Sequence, residues 1–332
     1  MSCRFVVINL IIVFCFSVPS VAAADWIKEK QAIMGTEITV EIWQNENSSS
    51  QQCIDNVFME MWRIDALMSP YKENSELTKI NNMASDRPVV ISEELFHLLS
   101  KSLEISRLSD GAFDITFSSI GYLYNYRKKR QPTDKLINKK LNAINYQHIL
   151  LDSKKRTVHF KNKAVRIDLG GIAKGYAVDN AINILKRCGT KYGLVTAGGD
   201  SRILGDKKGR PWMMGVQHPR KKQEVAVVLP LSNTAISTSG DYERYFIKDG
   251  HRVHHIINPQ TGKSADKSWS ATVIANNALT SDALSTTLFV LGEKKGLELI
   301  NKLEGIDAVI IDSSGNMHYS SGLLALEQQS IN

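Results

Sequence analysis

Residues 164–179 read AVRIDLGGIAKGYAVD. Apolar and polar side chains alternate up to Asp168, as in a strand. Gly170 and Gly171 follow, and a helical spacing then begins at Ala173, with Ala177, Ala181, Ile184 and Leu185 on one face and Gly189 as its stop. A strand that turns through two glycines into a helix has two readings. The glycines let backbone approach a ligand, and the free N–H groups and positive pole of the helix start suit a phosphate, with Lys174 as an added cation and Asp168 as an acceptor for a sugar or base. The other reading is a plain tight turn with a capping Asp.

The flanks settle the class. Downstream come YGLVTAG (192–198), WMMGVQ (212–217), EVAVVLPL (224–231), RYFIKDG (244–250), SATVIA (270–275), DAVIID (307–312) and MHYSS (317–321). Upstream lie HILLD at 148, TVHF at 157 and EITVEIW at 37. Strands joined by short turns, with helices in blocks, predict an α+β fold with mainly antiparallel sheets and packed helices. No G-x-G-x-x-G follows a strand and no G-x-x-x-x-G-K-[ST] occurs, so a Rossmann or P-loop fold is disfavoured.

Near the N-terminus a polar loop is expected over 45–52. Ile54, Val57, Phe58, Met61, Ile64 and Met68 then repeat at helical spacing. Ser92, followed by Glu93 and Glu94, starts a second helix that Gly111 stops. The segment Tyr126–Lys140 holds seven cations and reads as a solvated, mobile connection rather than a loop over a nucleotide, because no base-stacking framework accompanies it.

The 332 residues are 43% hydrophobic and 23% charged, which excludes a disordered tail protein and a small disulfide scaffold. The net charge of +7 fits an anionic small molecule as well as other polyanions; no nucleic-acid partner is expected. Residues 1–24 have one charge, Arg4, an apolar run and a Val21-Ala22-Ala23-Ala24 exit, the pattern of a secretory signal peptide cleaved near Ala24 or Asp25. Export to the periplasm follows, with 25–332 as one domain. Phe14 before Cys15 argues against a lipoprotein. Cys53 and Cys188 remain; two buried free thiols are expected, although an oxidising compartment would let them pair.

Four further units carry polar chemistry. Ala197-Gly198-Gly199-Asp200 is a second glycine turn after a strand, and Ser237–Asp241 reads as a polar turn. Asp282, Ser285 and Thr286 share one helical face, either as oxygen donors for a hard cation such as magnesium or as a helix cap with back-bonded hydroxyls. His254 and His255 precede Asn258-Pro259 and Thr261-Gly262; on a strand they face opposite ways, so one is free to act as acid or base.

These units, in this order, resemble the ApbE family, the FAD:protein FMN transferases. DLGGIAKGYAVD, AGGD, HIINPQTG and SDALSTTLFVLG carry the likeness, with Met34-Gly35-Thr36, Met68-Ser69-Pro70-Tyr71 and Gly111–Asp114 in support. The resemblance implies an ApbE-like, T-fold-related architecture. It implies an FAD site lined by Met34, Tyr71, Ala112, Phe113, Asp114, Asp168, Lys174 and Ile256, magnesium on the Gly171 carbonyl, Asp282, Ser285 and Thr286, and His255 as candidate base. Departures from the family pattern are Thr196 before AGGD, Asn258 before Pro259, and Ser285 where some members have Asp. FAD would be the substrate, magnesium the cofactor, and FMN would pass to a Thr or Ser of acceptors bearing a D-G-x-[ST]-x-A-T type segment, such as sodium-pumping quinone reductase or Rnf subunits. The rivals are an FAD pyrophosphatase and a non-catalytic FAD-binding protein. An unperturbed His255 would make the rate rise near pH ~6.5, and His254→Ala would be silent.

Overall fold

The computed structural model describes residues 25–44 and 50–325; the expected leader lies outside the described residues. Its main sheet has eight strands: β1 (Trp26–Ile33), β2 (Thr36–Trp43), β3 (Gly193–Ala197), β4 (Asp200–Leu204), β5 (Ala235–Gly240), β6 (Ser268–Ala275), β7 (Asp307–Asp312) and β8 (Met317–Tyr319). They lie side by side in chain order, each antiparallel to the next. In β2, Ile38, Val40 and Ile42 are buried and the residues between them are not, the period of a half-buried strand.

One sheet face carries helices α3 (Ala173–Arg187) and α4 (Ala278–Leu291), which pack on each other and on β4, β5 and β6. Helix α1 (Ser50–Met68) covers α3 through Ile54, Val57, Phe58, Met61 and Ile64. Helix α2 (Glu93–Leu108) starts where the sequence places it: the Ser92 hydroxyl accepts the Leu95 N–H at 3.3 Å. Gly111, at φ +77°, ends it by donating to the Ser106 carbonyl at 2.8 Å. On the other sheet face the hairpin Trp212–Gln217/Val225–Leu231 meets Ile236 and Ile274 through Val216 and Leu229. A three-stranded sheet (Val89–Val90, Thr157–Phe160, Ile149–Asp152) and the hairpin Tyr245–Lys248/His251–His254 complete the body. The α+β expectation with antiparallel pairing holds.

Several local expectations change. Residues 164–168 form no strand. Their extended backbone is held by single bonds instead: Arg166 N–H to the Ser119 hydroxyl, Ile167 N–H and C=O to the Asn81 amide, and Asp168 N–H to the Ile115 carbonyl. The Ser237–Asp241 "turn" is mostly strand β5, paired with β6 from Ser237 to Gly240 and with β4 at Ser237. Its hydroxyls are satisfied laterally, Thr238 by Thr272 at 2.9 Å and Ser237 by Ser281 at 2.8 Å. Residues 50–52, expected in a loop, already belong to α1.

The basic segment is tied down rather than mobile. Asn125 and Arg130 exchange two backbone hydrogen bonds of 2.9 Å, and Asp134–Lys140 is a helix. Ile137, set among the charges, joins Tyr124 and Ile144 from either side of them in a small core with Ile120 and Ile257. Cys53 and Cys188 are not free thiols: they are joined in a disulfide that fastens α1 to the residue capping α3, across a Cα separation of 6.3 Å. Helical packing brings these two half-turns together, which neither cysteine's flanking sequence announces. Among the described residues no helix is long and apolar enough to cross a membrane.

Candidate active site

The site forms where α3 meets α4. The N–H groups opening α4 are already satisfied: Asp179 accepts from Ala278 and Leu279 at 2.9 Å each, and Asn277 accepts from Thr280 at 2.8 Å. Asp282 is therefore not the helix cap. It lies in the second turn, 2% exposed, and its Oδ2 accepts the Gly175 N–H of α3 at 2.9 Å. Gly175 is required there, because a Cβ would stand 2.8 Å from Asp282 Cβ and collide with the Ala278 carbonyl.

Lys174 points into the same junction. Its ammonium pairs with Asp200, 1% exposed at the start of β4, and lies 3.6 Å from Asp282 Oδ1. Burial works against the lysine charge, but the two carboxylates, Asp200 first, outweigh it and hold the ammonium protonated well above the usual lysine range. Burial first, then repulsion from Asp200, pushes the Asp282 carboxyl up to about 7 against the pull of Lys174.

Beside Asp282 the Ser285 and Thr286 hydroxyls converge on Ser239 of β5, at 2.9 and 3.2 Å. Gly171 abuts the same place: a Cβ there would be 3.2 Å from Thr286 Oγ1 and 3.3 Å from Phe113 Cε2. Asp282, Ser285, Thr286 and the Gly171 backbone thus adjoin one another. Among the described residues no three His, Cys, Asp or Glu side chains cluster as metal ligands. One carboxylate among neutral oxygens suits a hard cation that keeps waters and substrate phosphates in its shell, so the residues present fit magnesium.

His255 follows the strand His251–His254. Its N–H donates to the Arg244 carbonyl at 3.2 Å, and its Nδ1 is sealed from solvent without a partner. Burial, then the neighbouring His254, Arg244 and Lys174, lowers its pKa to about 3. It is neutral at pH 7, and the expected rise in rate near pH 6.5 has no basis in this residue. His254 is no bystander. It is buried, its Nε2 bonds the Ala265 carbonyl at 2.7 Å, and its ring meets Phe289 edge-on at 5.4 Å. The His254 ring is thus part of the packing of the fold, and its removal would fall on stability.

The remaining implied residues ring this centre. The Met34-Gly35 turn, with both residues at positive φ, is held by Arg244, whose Nη2 donates to the Gly35 carbonyl at 3.2 Å. Tyr71 is 86% exposed, and its phenol feels the charges of Asp168 and Arg244. Asp168 accepts the Gly170 N–H at 2.7 Å. Ile256 and Phe113 are buried, and Ala112 lies beside Phe113. Asp114 commits its carboxylate to the fold, accepting from Thr116 N and Oγ1 at 2.8 and 2.6 Å and from Tyr146 N at 2.7 Å. It fixes the backbone at Thr116 and Tyr146 rather than reaching outward, while Ser109 holds the Ala112 and Phe113 N–H groups. Sequence reasoning missed Arg244 and Ser239 and gave Asp200 no partner.

The family model for the ApbE family matches residues 34–310. The chain is 32% identical over 282 residues to the FAD:protein FMN transferase of Haemophilus influenzae, covering 81% of this chain and 82% of that one. It is 30% identical over 292 residues to the protein of that name from Escherichia coli K12, covering 85% and 83%. Among solved structures, the ApbE protein of Thermotoga maritima superposes with a TM-score of 0.85 at 35% identity, over 91% of this chain and 99% of that one. The flavin transferase ApbE of Vibrio cholerae gives 0.82 at 26% identity, with the same coverage. The chain belongs to the ApbE family.

Proposed function

We propose that this chain is an exported FAD:protein FMN transferase that moves FMN from FAD to a threonine or serine hydroxyl of an acceptor protein. The observation that carries the reading is the buried junction at which the Lys174 ammonium meets Asp282, with the Ser285 and Thr286 hydroxyls beside it. A cation beside an oxygen-donor set suits a pyrophosphate.

Met34, Tyr71, Ala112, Phe113 and Ile256 would border the flavin nucleotide, and Asp168 would accept hydrogen bonds from it. Lys174, held between Asp200 and Asp282, presents its ammonium to the phosphates. Asp282, Ser285, Thr286 and the Gly171 carbonyl would hold magnesium, which neutralises pyrophosphate charge. The acceptor hydroxyl oxygen attacks the phosphorus on the flavin side, the bond to the bridging oxygen breaks, and AMP leaves. The hydroxyl proton passes to His255, neutral at pH 7; with Nδ1 sealed from solvent, the accepting atom is Nε2, in the tautomer protonated at Nδ1.

Mass spectrometry of a D-G-x-T-x-A-T peptide incubated with the protein, FAD and magnesium tests this. One added FMN on the threonine, with AMP in equal amount, is expected. Free FMN and AMP without an adduct would make the protein a pyrophosphatase. FAD should raise the melting temperature by the equivalent of ~2.7 kcal/mol at a hundredfold excess over Kd, and NAD should not. Recovery of the protein from the periplasmic fraction, beginning at Ala24 or Asp25, tests export.

A further inference from the structure

The segment Arg127–Lys140 carries seven cations and one acid, nearly the whole +7 excess of the chain. Its tip, Arg127-Lys128-Lys129-Arg130, is exposed, and none of the four has an ion-pair partner among the described residues. The single acid, Asp134, is already paired with Lys263 at 2.8 Å. The tip is not loose. The Asn125–Arg130 bridge closes it, and Lys128 N–H donates to Asn125 Oδ1 at 2.8 Å.

Its foot stands on the rim of the site. Tyr124 donates to the Gly262 carbonyl at 3.0 Å and stacks on Tyr126, whose ring lies 6.4 Å from that of Phe246. Gly262 closes the turn that follows His255 and Ile256, and Ile257 of that turn is buried with Tyr124. A cluster of four cations without ion-pair partners among the described residues thus stands on a foot that packs against the turn following His255 and Ile256.

We infer that the Arg127–Arg130 hairpin is a docking surface for an acidic stretch of the acceptor protein, placed beside the segment that receives FMN. The inference rests on the transferase reading. An acidic protein fits better than a lipid surface, because residues 127–131 hold no apolar side chain and the aromatic rings of the foot are packed against the body. Charges on such a rim act on encounter and salt dependence more than on chemistry.

Two labelled peptides sharing the D-G-x-T-x-A-T core, one extended by four glutamates and one by four serines, provide the test. Fluorescence anisotropy at low salt should show the wild type binding the acidic peptide roughly tenfold or more tightly, and the preference should fade as salt is added. R127E/K128E/K129E/R130E should lose it, while K154E/K155E/K161E/K163E, with the same charge change at other exposed positions, should keep it. Equal binding of both peptides by the wild type, a preference that survives in the hairpin variant, or one lost equally in the control would overturn the inference. So would absent peptide preference together with hairpin-dependent binding to phosphatidylglycerol vesicles, which would mark a lipid surface. Transfer is scored separately: no FMN on either peptide, with the binding preference intact, overturns the transferase reading and leaves the docking surface standing.

Discussion

The Gly175 N–H and the Asp282 carboxylate, 2.9 Å apart, join α3 to α4 at a buried acid that, together with Asp200, faces Lys174. Closeness of the two helices and placement of the carboxylate are one feature. Gly175→Ala forces a methyl against Ala278 and Asp282. The variant should lose about 1–3 kcal/mol in thermal or denaturant unfolding, and its Mn²⁺ binding, followed by electron paramagnetic resonance, should fall with it.

Asp282→Asn and Asp282→Ala should separate. Asn keeps an oxygen for the Gly175 N–H and should unfold near the wild-type temperature while losing Mn²⁺ binding and transfer. Ala leaves that buried N–H unpaired and should cost a further ~1–3 kcal/mol. Equal melting temperatures for the two would show that the hydrogen bond does not hold the helices.

The histidines should divide stability from activity. His254→Ala removes the bond to Ala265 and the contact with Phe289, and should cost about 1–3 kcal/mol in urea unfolding. His255→Ala removes a ring whose Nδ1 has no partner. It should lower FMN transfer by roughly 10²–10⁴ with little change in the unfolding midpoint.

Acid should act on His255 and Asp282 in opposite senses. Between about pH 6.5 and 3 the unfolded chain protonates His255 and the folded chain does not, so this residue makes stability fall as pH falls. Asp282, raised to about 7, binds its proton in the folded state first. Its contribution is present at low pH and is lost as pH rises toward 7. His255→Gln should therefore flatten the acid limb of the stability profile, and Asp282→Asn should steepen it. Transfer by the wild type should show no inflection near pH 6.5 from His255, and Mn²⁺ binding to the FAD-free protein should weaken below about pH 7.

The parts of the site that local sequence revealed are those whose neighbours lie within a turn or two. Asp282, Ser285 and Thr286 share a helical face whatever the rest of the chain does, and Gly171 and Lys174 flank one helix start. The partners contributed from afar carried no such signal. Ser239 sits in a hydroxyl-rich run that reads as a turn, yet it pairs with β6 and its hydroxyl meets Ser285 and Thr286 of α4. Arg244 looks like any surface cation until the Gly35 carbonyl is brought to it. The same holds for the fold. Strand β1 carries Lys28, Glu29, Lys30 and Gln31 and has no apolar alternation, because it is an edge strand with one neighbour. Residues 164–168 have the alternation but find side chains and isolated carbonyls in place of a neighbouring strand.

Strands β2 and β3 are neighbours in the sheet, but the chain between them, from Gln44 to Tyr192, builds three of the four main helices before it returns. Pairing them closes a very long loop, a slow and entropically costly event for an unlinked chain. Cys53 and Cys188, 135 residues apart, stand just inside the two ends of that loop. Once they are joined, the path from β2 to β3 runs through the sulfur bridge, with residues 44–52 on one side and 189–192 on the other. In kinetic terms the β2–β3 pairing of the oxidised polypeptide closes a loop of hairpin-like length, and the order in which oxidation and sheet closure occur decides how long the facing edges of β2 and β3 stand open to other chains.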